Sequence, residues 1–201
     1  MKNLLRQSTA IAALVAAALC CWGIWQASRI GQARTLAEYA VKDRRDNVAV
    51  FVASMAAVVN RVSADRQSSR VIMIGYSGGG ALAVLMAPSV RGAAAVVTLA
   101  ANLDIDAWVR WHGYLPLRGS LSPATEPPLS DSIAQWHLVG DQDQEVPPSV
   151  SLRYLERLSP DLTWHFASFD HICCWSEQWP AISKRINAAL AARVAPPNGI
   201  P

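Results

Sequence analysis

The 201-residue chain is predicted to be an α/β protein with a parallel sheet flanked by helices. Short β-branched apolar runs alternate along it with segments of helical apolar spacing, which is typical of parallel sheets. Hydrophobic residues make up 52% of the sequence and charged residues 16%, enough for one packed core. The net charge of +3 comes from scattered Lys and Arg, so no nucleic-acid surface is predicted.

The first 28 residues are interpreted as a signal peptide or membrane anchor. Lys2 and Arg6 precede an uncharged stretch over residues 7–28, which is about the length that crosses a bilayer. We therefore expect a protein of the cell envelope, exported or membrane-anchored on the periplasmic side, with this segment as its membrane contact. The alternative is a buried core helix, because both have the same composition.

A folded domain is predicted over residues 29–194. From Asp46 to Val62, apolar residues recur every three or four positions, which predicts a helix packed on the core. The run "VIMIG" (71–75) is predicted to be a buried strand, and "GGALAVLMA" after it a helix. Later strands are predicted at residues 94–100, 133–140 and 162–168, and helices at 148–158 and at 176–194, the last interrupted by Pro180.

Two segments depart from this alternation. Residues 105–131 are rich in Trp, Pro, Gly and Ser, and they are interpreted as a lid-like insertion over the C-terminal edge of the sheet. Residues 195–201, "APPNGIP", are expected to be a disordered tail.

The chemically informative motif is Gly75-Tyr76-Ser77-Gly78-Gly79, a G-x-S-x-G sequence between a predicted strand and a predicted helix. In that setting a serine sits on a strained turn above the sheet, and small residues are needed where strand and helix nearly touch. Ser77 is therefore the candidate nucleophile, on an elbow completed by Gly75, Tyr76 and Gly79, and the Gly78 N–H is the candidate oxyanion donor. A phosphate-binding glycine loop is disfavoured, because no Lys follows and G-x-G-x-x-G is absent.

A nucleophilic serine needs a base and an orienting acid, in the chain order Ser, Asp, His. His171 follows the fourth predicted strand and is the candidate base. The other histidines, His112, His137 and His165, lie in the insertion or inside predicted strands. Three aspartates are candidates for the acid: Asp141, Asp143 and Asp170. Asp170 is adjacent to His171 and reaches its ring with difficulty, but the residues by themselves leave the choice open.

The chain resembles the α/β-hydrolase superfamily over residues 46–190, in particular a bacterial branch of exported or lipoprotein-like hydrolases. The resemblance is carried by "GYSGGGALA", "GDQDQEVPP" and "DHICCWSEQWP", and "NLDIDAW" and "PLRGSLSPA" are also similar. In that superfamily the acid commonly stands three residues after a strand-ending glycine and shortly before Val-Pro. Gly140, Asp143, Val146 and Pro147 match this pattern. The resemblance therefore implies a triad of Ser77, Asp143 and His171.

The implied function is that of a serine esterase that cleaves a small-molecule ester or acyl substrate through an acyl-enzyme. This chemistry needs no cofactor, and no metal site is predicted, because the four cysteines form two adjacent pairs instead of spaced ligand sets. For Cys173 and Cys174 the resemblance implies disulfide bonds that tie the His171 loop to upstream cysteines. Cys20 or Cys21 would have to be the partners here. A redox-active pair is the alternative.

The sequence also departs from the superfamily pattern. Its members carry about four further strands before the nucleophile strand, and the loop after the third strand supplies a second oxyanion donor. Only about 40 residues separate the apolar leader from "VIMIG", and no such glycine loop is found there. We therefore expect about the last four strands of the fold, self-association through an exposed strand edge and weak esterase activity. The alternative is a truncated, catalytically inactive hydrolase-fold envelope protein that acts as a binding module or is a remnant.

Overall fold

Four parallel strands form the centre of the computed structural model, which describes residues 45–194. They lie across the sheet in chain order: β1 (Val71–Tyr76), β2 (Ala93–Leu99), β3 (Ala134–Gly140) and β4 (Thr163–Phe166). The predicted parallel sheet flanked by helices is confirmed. The predicted signal peptide or anchor and the predicted C-terminal tail lie outside the described residues.

Five α-helices accompany the strands within residues 45–194, and those between two strands belong to the crossover connections that parallel neighbours need. They are α1 (Arg45–Asp65), α2 (Gly78–Met86), α3 (Ile105–Trp111), α4 (Leu152–Leu155) and α5 (Trp175–Val194). One face of the sheet packs against α1, α2 and α4. The other face packs against α5, through Ile182, Ile186 and Leu190.

Helix α1 contacts the rest of the domain through a few of its residues. Val52 and Ala56 are buried in the core, and the Asn60 side chain donates to the Ser89 carbonyl (2.9 Å) and accepts from the Arg91 N–H (2.7 Å). By length and composition the helix is also apolar enough to cross a membrane. Within α1, Val52 and Ala56 are the buried residues, whereas Val50, Phe51, Met55, Val58 and Val62 are exposed, so burial in the core does not account for its apolar character. The prediction that this helix packs its apolar residues on the core is therefore confirmed for only part of them.

Strand β3 lies inside the sheet, and all seven of its residues are buried. His137 on this strand is fully buried, with Nδ1 2.9 Å from the Thr98 hydroxyl oxygen and Nε2 3.4 Å from the Gln135 side-chain oxygen. The Tyr154 hydroxyl donates to the same Gln135 oxygen (2.8 Å). Burial lowers the pKa of His137 to about 3, so the ring is neutral at pH 7. His137 is therefore a core residue.

Two helices differ from their predicted form. Residues 148–158 were expected to form one helix, but they form a 3₁₀ turn (Pro148–Ser151) followed by the short α4. The expected interruption at Pro180 is wrong, because α5 runs through it. Pro180 lies in the second turn, where it removes one backbone hydrogen bond, while the apolar face beyond it keeps packing on the sheet and stabilises the helix.

Strand β1 is an edge of the sheet in the described region. Ile72 and Ile74 lie on the same face as their register partners Ala95 and Val97. Those two partners are fully buried, whereas Ile72 is 42% exposed and Ile74 51% exposed. The edge and its uncovered isoleucines are the kind of surface that pairs with another chain, and self-association through it stays a prediction.

The buried histidine generates a pH prediction. His137 is neutral in the folded chain, with a pKa of about 3, whereas in the unfolded chain it takes up a proton near pH 6.5. Its contribution to stability is therefore complete above about pH 6.5 and decreases by about 1.4 kcal/mol per pH unit as the pH falls towards 3. Urea unfolding at a series of pH values measures this slope.

His137→Gln is the matched variant, because glutamine does not titrate in this range. We expect it to be less stable than wild type at pH 7.5 but to have a shallower loss between pH 6 and 4. Parallel pH dependences for the two proteins would contradict the assignment.

Candidate active site

Ser77 stands on a strained turn between the end of β1 and the start of α2. Its backbone angles are φ 52° and ψ −126°, a combination that non-glycine residues rarely adopt and that costs about 1–3 kcal/mol. The turn is held by two backbone hydrogen bonds, from the Ser77 N–H to the Leu99 carbonyl (2.9 Å) and from the Gly80 N–H to the Ser77 carbonyl (3.0 Å). The surrounding fold therefore maintains the strained conformation.

Glycines are needed where the strand and the helix approach each other. A Cβ at Gly75 would lie 2.2 Å from the Gly79 carbonyl oxygen, and one at Gly80 would lie 2.4 Å from the Ala101 Cβ. A Cβ at Gly79 would meet nothing within 4 Å. The need for a residue without a side chain, predicted for Gly79, therefore falls on Gly80. Gly79 contacts Gly75 through its backbone carbonyl, so a side chain at Gly79 would not disturb that contact.

Helix α2 presents its positive end beside Ser77. Gly78 is the first helical residue, and the first N–H groups of a helix have no acceptor within it. The Ser77 side chain makes no capping hydrogen bond to them. The Gly78 N–H and the helix dipole therefore favour a negative charge developing next to the serine.

The partly buried His171 and the buried Asp143 are paired at the same edge of the sheet. His171 Nδ1 lies 2.8 Å from Asp143 Oδ2, and Asp143 Oδ1 accepts from the N–H groups of Glu145 (2.9 Å) and Val146 (2.8 Å). Asp143 is only 1% exposed. Because a carboxylate accepts the Nδ1 proton, the neutral ring carries its lone pair on Nε2.

The two other candidate acids have different partners. Asp170 Oδ1 accepts from the N–H groups of Ile172 (2.8 Å) and Cys173 (2.6 Å), and these bonds lower the pKa of its carboxyl group. Asp141 lies on the surface, where its Oδ1 is 2.7 Å from His165 Nδ1. Among the three candidates within the described chain, Asp143 is the one that meets His171.

The loop that carries His171 is tied to the serine turn through Tyr76. The Tyr76 hydroxyl donates to the His171 carbonyl (2.6 Å), and the two ring centroids are 5.1 Å apart. Within residues 45–194, no hydrogen bond joins the Ser77 hydroxyl to the His171 ring. In the same range, the hydrogen bond between the serine turn and the His171 loop is the one made by Tyr76. The sequence did not predict this contact, because the G-x-S-x-G motif leaves the residue between Gly75 and Ser77 unspecified.

The predicted lid-like insertion contributes α3, which lies beside the loop that carries Asp143, called the acid loop below. Trp108 Nε1 donates to the Glu145 carbonyl (2.9 Å), and His112 Nε2 lies 2.8 Å from the same oxygen. Trp111 Nε1 donates to the Gln144 carbonyl (3.3 Å). Later in the segment Ala124 and Leu129 are buried in the core, so part of it belongs to the body of the domain.

Comparison with known proteins supports the fold. No protein-family model and no curated protein matches the chain. Among solved structures, an α/β hydrolase enzyme from the metagenome of sediments of the Mar Chica lagoon, Morocco, matches with a TM-score of 0.51 and 18% identity, over 71% of this chain and 70% of that one. The chain has an α/β-hydrolase fold.

A second solved structure, described as a non-heme bromoperoxidase from Mycobacterium tuberculosis H37Rv, matches with a TM-score of 0.47 and 14% identity, over 72% of this chain and 74% of that one. At such identities the similarity concerns the fold, and the chemistry has to be argued from the residues of this chain. The narrower resemblance to an exported or lipoprotein-like branch stays a prediction.

Cys173 and Cys174 lie in the His171 loop of this hydrolase fold and are joined to each other. The expected disulfide bonds to upstream cysteines are therefore not formed by this pair, and Cys20 and Cys21 lie outside the described residues. Within residues 45–194, no group of three or more His, Cys, Asp or Glu residues comes together as a metal site.

A cavity of about 740 Å³ lies away from these residues. Its apolar lining includes Val84 and Leu85 on α2 and Pro127 and Leu129 on the segment between α3 and β3. Ser77 precedes the opposite end of α2, a nine-residue helix and thus about 13 Å long. Because the cavity contains neither the serine turn nor the His171–Asp143 pair, we assign it no part in the chemistry.

The glycine contacts generate a stability prediction. Gly80→Ala should lower the free energy of unfolding by about 1–3 kcal/mol, because the new methyl group overlaps Ala101 in a packed region. Gly79→Ala is the matched control one residue away, and it should be neutral or stabilising, because its Cβ has open space and alanine favours the helix. Thermal and urea unfolding measure both. Equal destabilisation by the two variants would contradict this account of the turn.

Proposed function

We propose that the protein is a serine hydrolase that cleaves carboxylic esters through an acyl-enzyme. The observation that carries the proposal is the hydrogen bond between the buried Asp143 and the partly buried His171, whose loop is bonded to the residue next to Ser77. A buried carboxylate with three hydrogen-bond donors is suited to hold an imidazole in one tautomer and to stabilise its protonated form. The strained turn at Ser77 adds support, because such strain is typical of functional positions.

In the proposed reaction, the Ser77 hydroxyl oxygen attacks the ester carbonyl carbon while His171 Nε2 takes the hydroxyl proton. Asp143 stays ionised and stabilises the resulting imidazolium. The carbonyl oxygen becomes an oxyanion, which accepts a hydrogen bond from the Gly78 N–H. His171 then gives its proton to the departing alcohol, which leaves an ester between the acyl group and Ser77. A water molecule, deprotonated by His171, releases the acid and restores the serine.

Turnover is expected to be slow. Gly78 supplies one oxyanion donor, and the second donor that the superfamily takes from an upstream loop has no assigned counterpart in the described part of this chain. Loss of one such donor costs about 10²- to 10³-fold in turnover. The substrate class is therefore best tested first with activated esters and with reagents that report on the nucleophile itself.

A fluorophosphonate probe tests the nucleophile directly, because it phosphonylates an activated serine even when ester turnover is slow. We expect one molecule of probe per chain on wild-type protein and none on Ser77→Ala. Ser54→Ala on α1 is the control for a serine far from the site, and it should label like wild type. Labelling of Ser77→Ala at the wild-type level would remove Ser77 from its proposed role.

The acid is tested by two neighbouring substitutions, with p-nitrophenyl acetate as substrate. Asp143→Asn should lower kcat by about 10⁴-fold, because the amide no longer stabilises the imidazolium. Asp141→Asn should change kcat less than about threefold, because its partner is the exposed His165. The opposite ranking would transfer the role of the acid to Asp141.

A further inference from the structure

We propose that Tyr76 is a positioning residue for His171, and that its hydroxyl sets the distance at which the imidazole meets the serine. This inference rests on the proposed serine hydrolase function. Tyr76 and Ser77 are consecutive, so the backbone that carries the nucleophile also carries the tether. The tether ends on the backbone carbonyl of the very residue that is proposed to be the base.

The contact is close and has two parts. The Tyr76 hydroxyl donates to the His171 carbonyl at 2.6 Å, and the phenol ring lies against the imidazole at a centroid distance of 5.1 Å and an angle of 43°. The hydrogen bond restrains the backbone of the loop, and the ring contact restrains the side chain. Together they limit where the imidazole can lie relative to the end of β1.

The remaining hydrogen bonds of this loop in the described chain hold it as a unit without reaching the serine turn. Asp170 Oδ1 accepts from Ile172 and Cys173, and Trp175 Nε1 donates to the carbonyls of Asp170 and His171, both at 3.2 Å. The Asp143 bond ties the ring to the acid loop. A rigid loop held at its own base and at the acid loop still needs a fixed relation to the nucleophile, and Tyr76 supplies that relation.

The chemistry of the hydroxyl suits a permanent donor. Desolvation, together with the nearby carboxylates of Asp143 and Asp170, raises the pKa of Tyr76 above its usual value. Tyr76 therefore keeps the proton needed for the hydrogen bond at neutral and mildly alkaline pH.

The test compares Tyr76→Phe with Tyr114→Phe. The first variant keeps the ring contact with His171 and loses the hydroxyl, and the second removes a hydroxyl from another half-exposed tyrosine, whose ring stacks on His112. We expect Tyr76→Phe to react with the fluorophosphonate probe about tenfold more slowly but to the same final extent, since a small displacement of the base reduces reaction efficiency without removing the nucleophile.

Steady-state kinetics with p-nitrophenyl acetate provide a second measurement. In Tyr76→Phe, kcat should fall about tenfold at unchanged KM, and the decrease of kcat at acidic pH should occur at the same pH as in wild type. Tyr114→Phe should match wild type in all these measurements.

Hydrogen exchange of the loop separates this inference from the function on which it rests. Exchange of the Ile172 and Cys173 N–H groups should be about tenfold faster in Tyr76→Phe than in wild type and Tyr114→Phe. Faster exchange together with a wild-type labelling rate would overturn the positioning role. Unchanged exchange in Tyr76→Phe would overturn the tether itself. A reduced final extent of labelling in Tyr76→Phe would also overturn it, because the substitution would then be inactivating sites instead of slowing their reaction. Absence of labelling in wild type would overturn the proposed function, and the positioning role with it, whatever the exchange result.

Discussion

Strand β1 and helix α2 meet so closely that a Cβ on Gly75 would lie 2.2 Å from the Gly79 carbonyl oxygen. This approach determines the rest of the site. It forces the chain through a turn with φ 52° at Ser77, and it directs the first N–H groups of α2 to the same place. The strain is maintained because β1 is bonded to β2 and because Gly80 lets α2 pack against Ala101.

Two histidines illustrate how the same side chain acquires different roles from its surroundings. His137 is enclosed in the sheet, without a carboxylate among its hydrogen-bond partners, and burial keeps it neutral. His171 lies at the edge of the sheet, against the carboxylate of Asp143. Of these two environments, the second contains a carboxylate that can stabilise a protonated ring, as the proposed role of His171 as a base requires.

The edge position of β1 links the fold to the proposed chemistry. Tyr76, which is 43% exposed, ends this strand, and its hydroxyl reaches the loop that follows β4, the strand at the opposite edge of the described sheet. The contact joins residues 95 positions apart in the sequence, because the fold brings the loop after β4 to the end of β1. Support for the His171 loop therefore comes from β1 as well as from the loop that carries Asp143.

The parallel sheet, its four strands and the serine turn are predictable from local sequence, because β-branched runs, helical spacing and G-x-S-x-G depend on neighbouring residues. The pairing of Asp143 with His171 was implied by a family resemblance, and residue types alone left three aspartates open. The tertiary structure alone decided which contacts the side chains make. Asp170 accepts from N–H groups of its own loop, and Asp141 pairs with His165. Gly80, not Gly79, is the glycine without room for a Cβ, and the Tyr76 hydroxyl donates to the His171 carbonyl. No local pattern encodes them, because each depends on where the sheet brings separate strand ends and loops together.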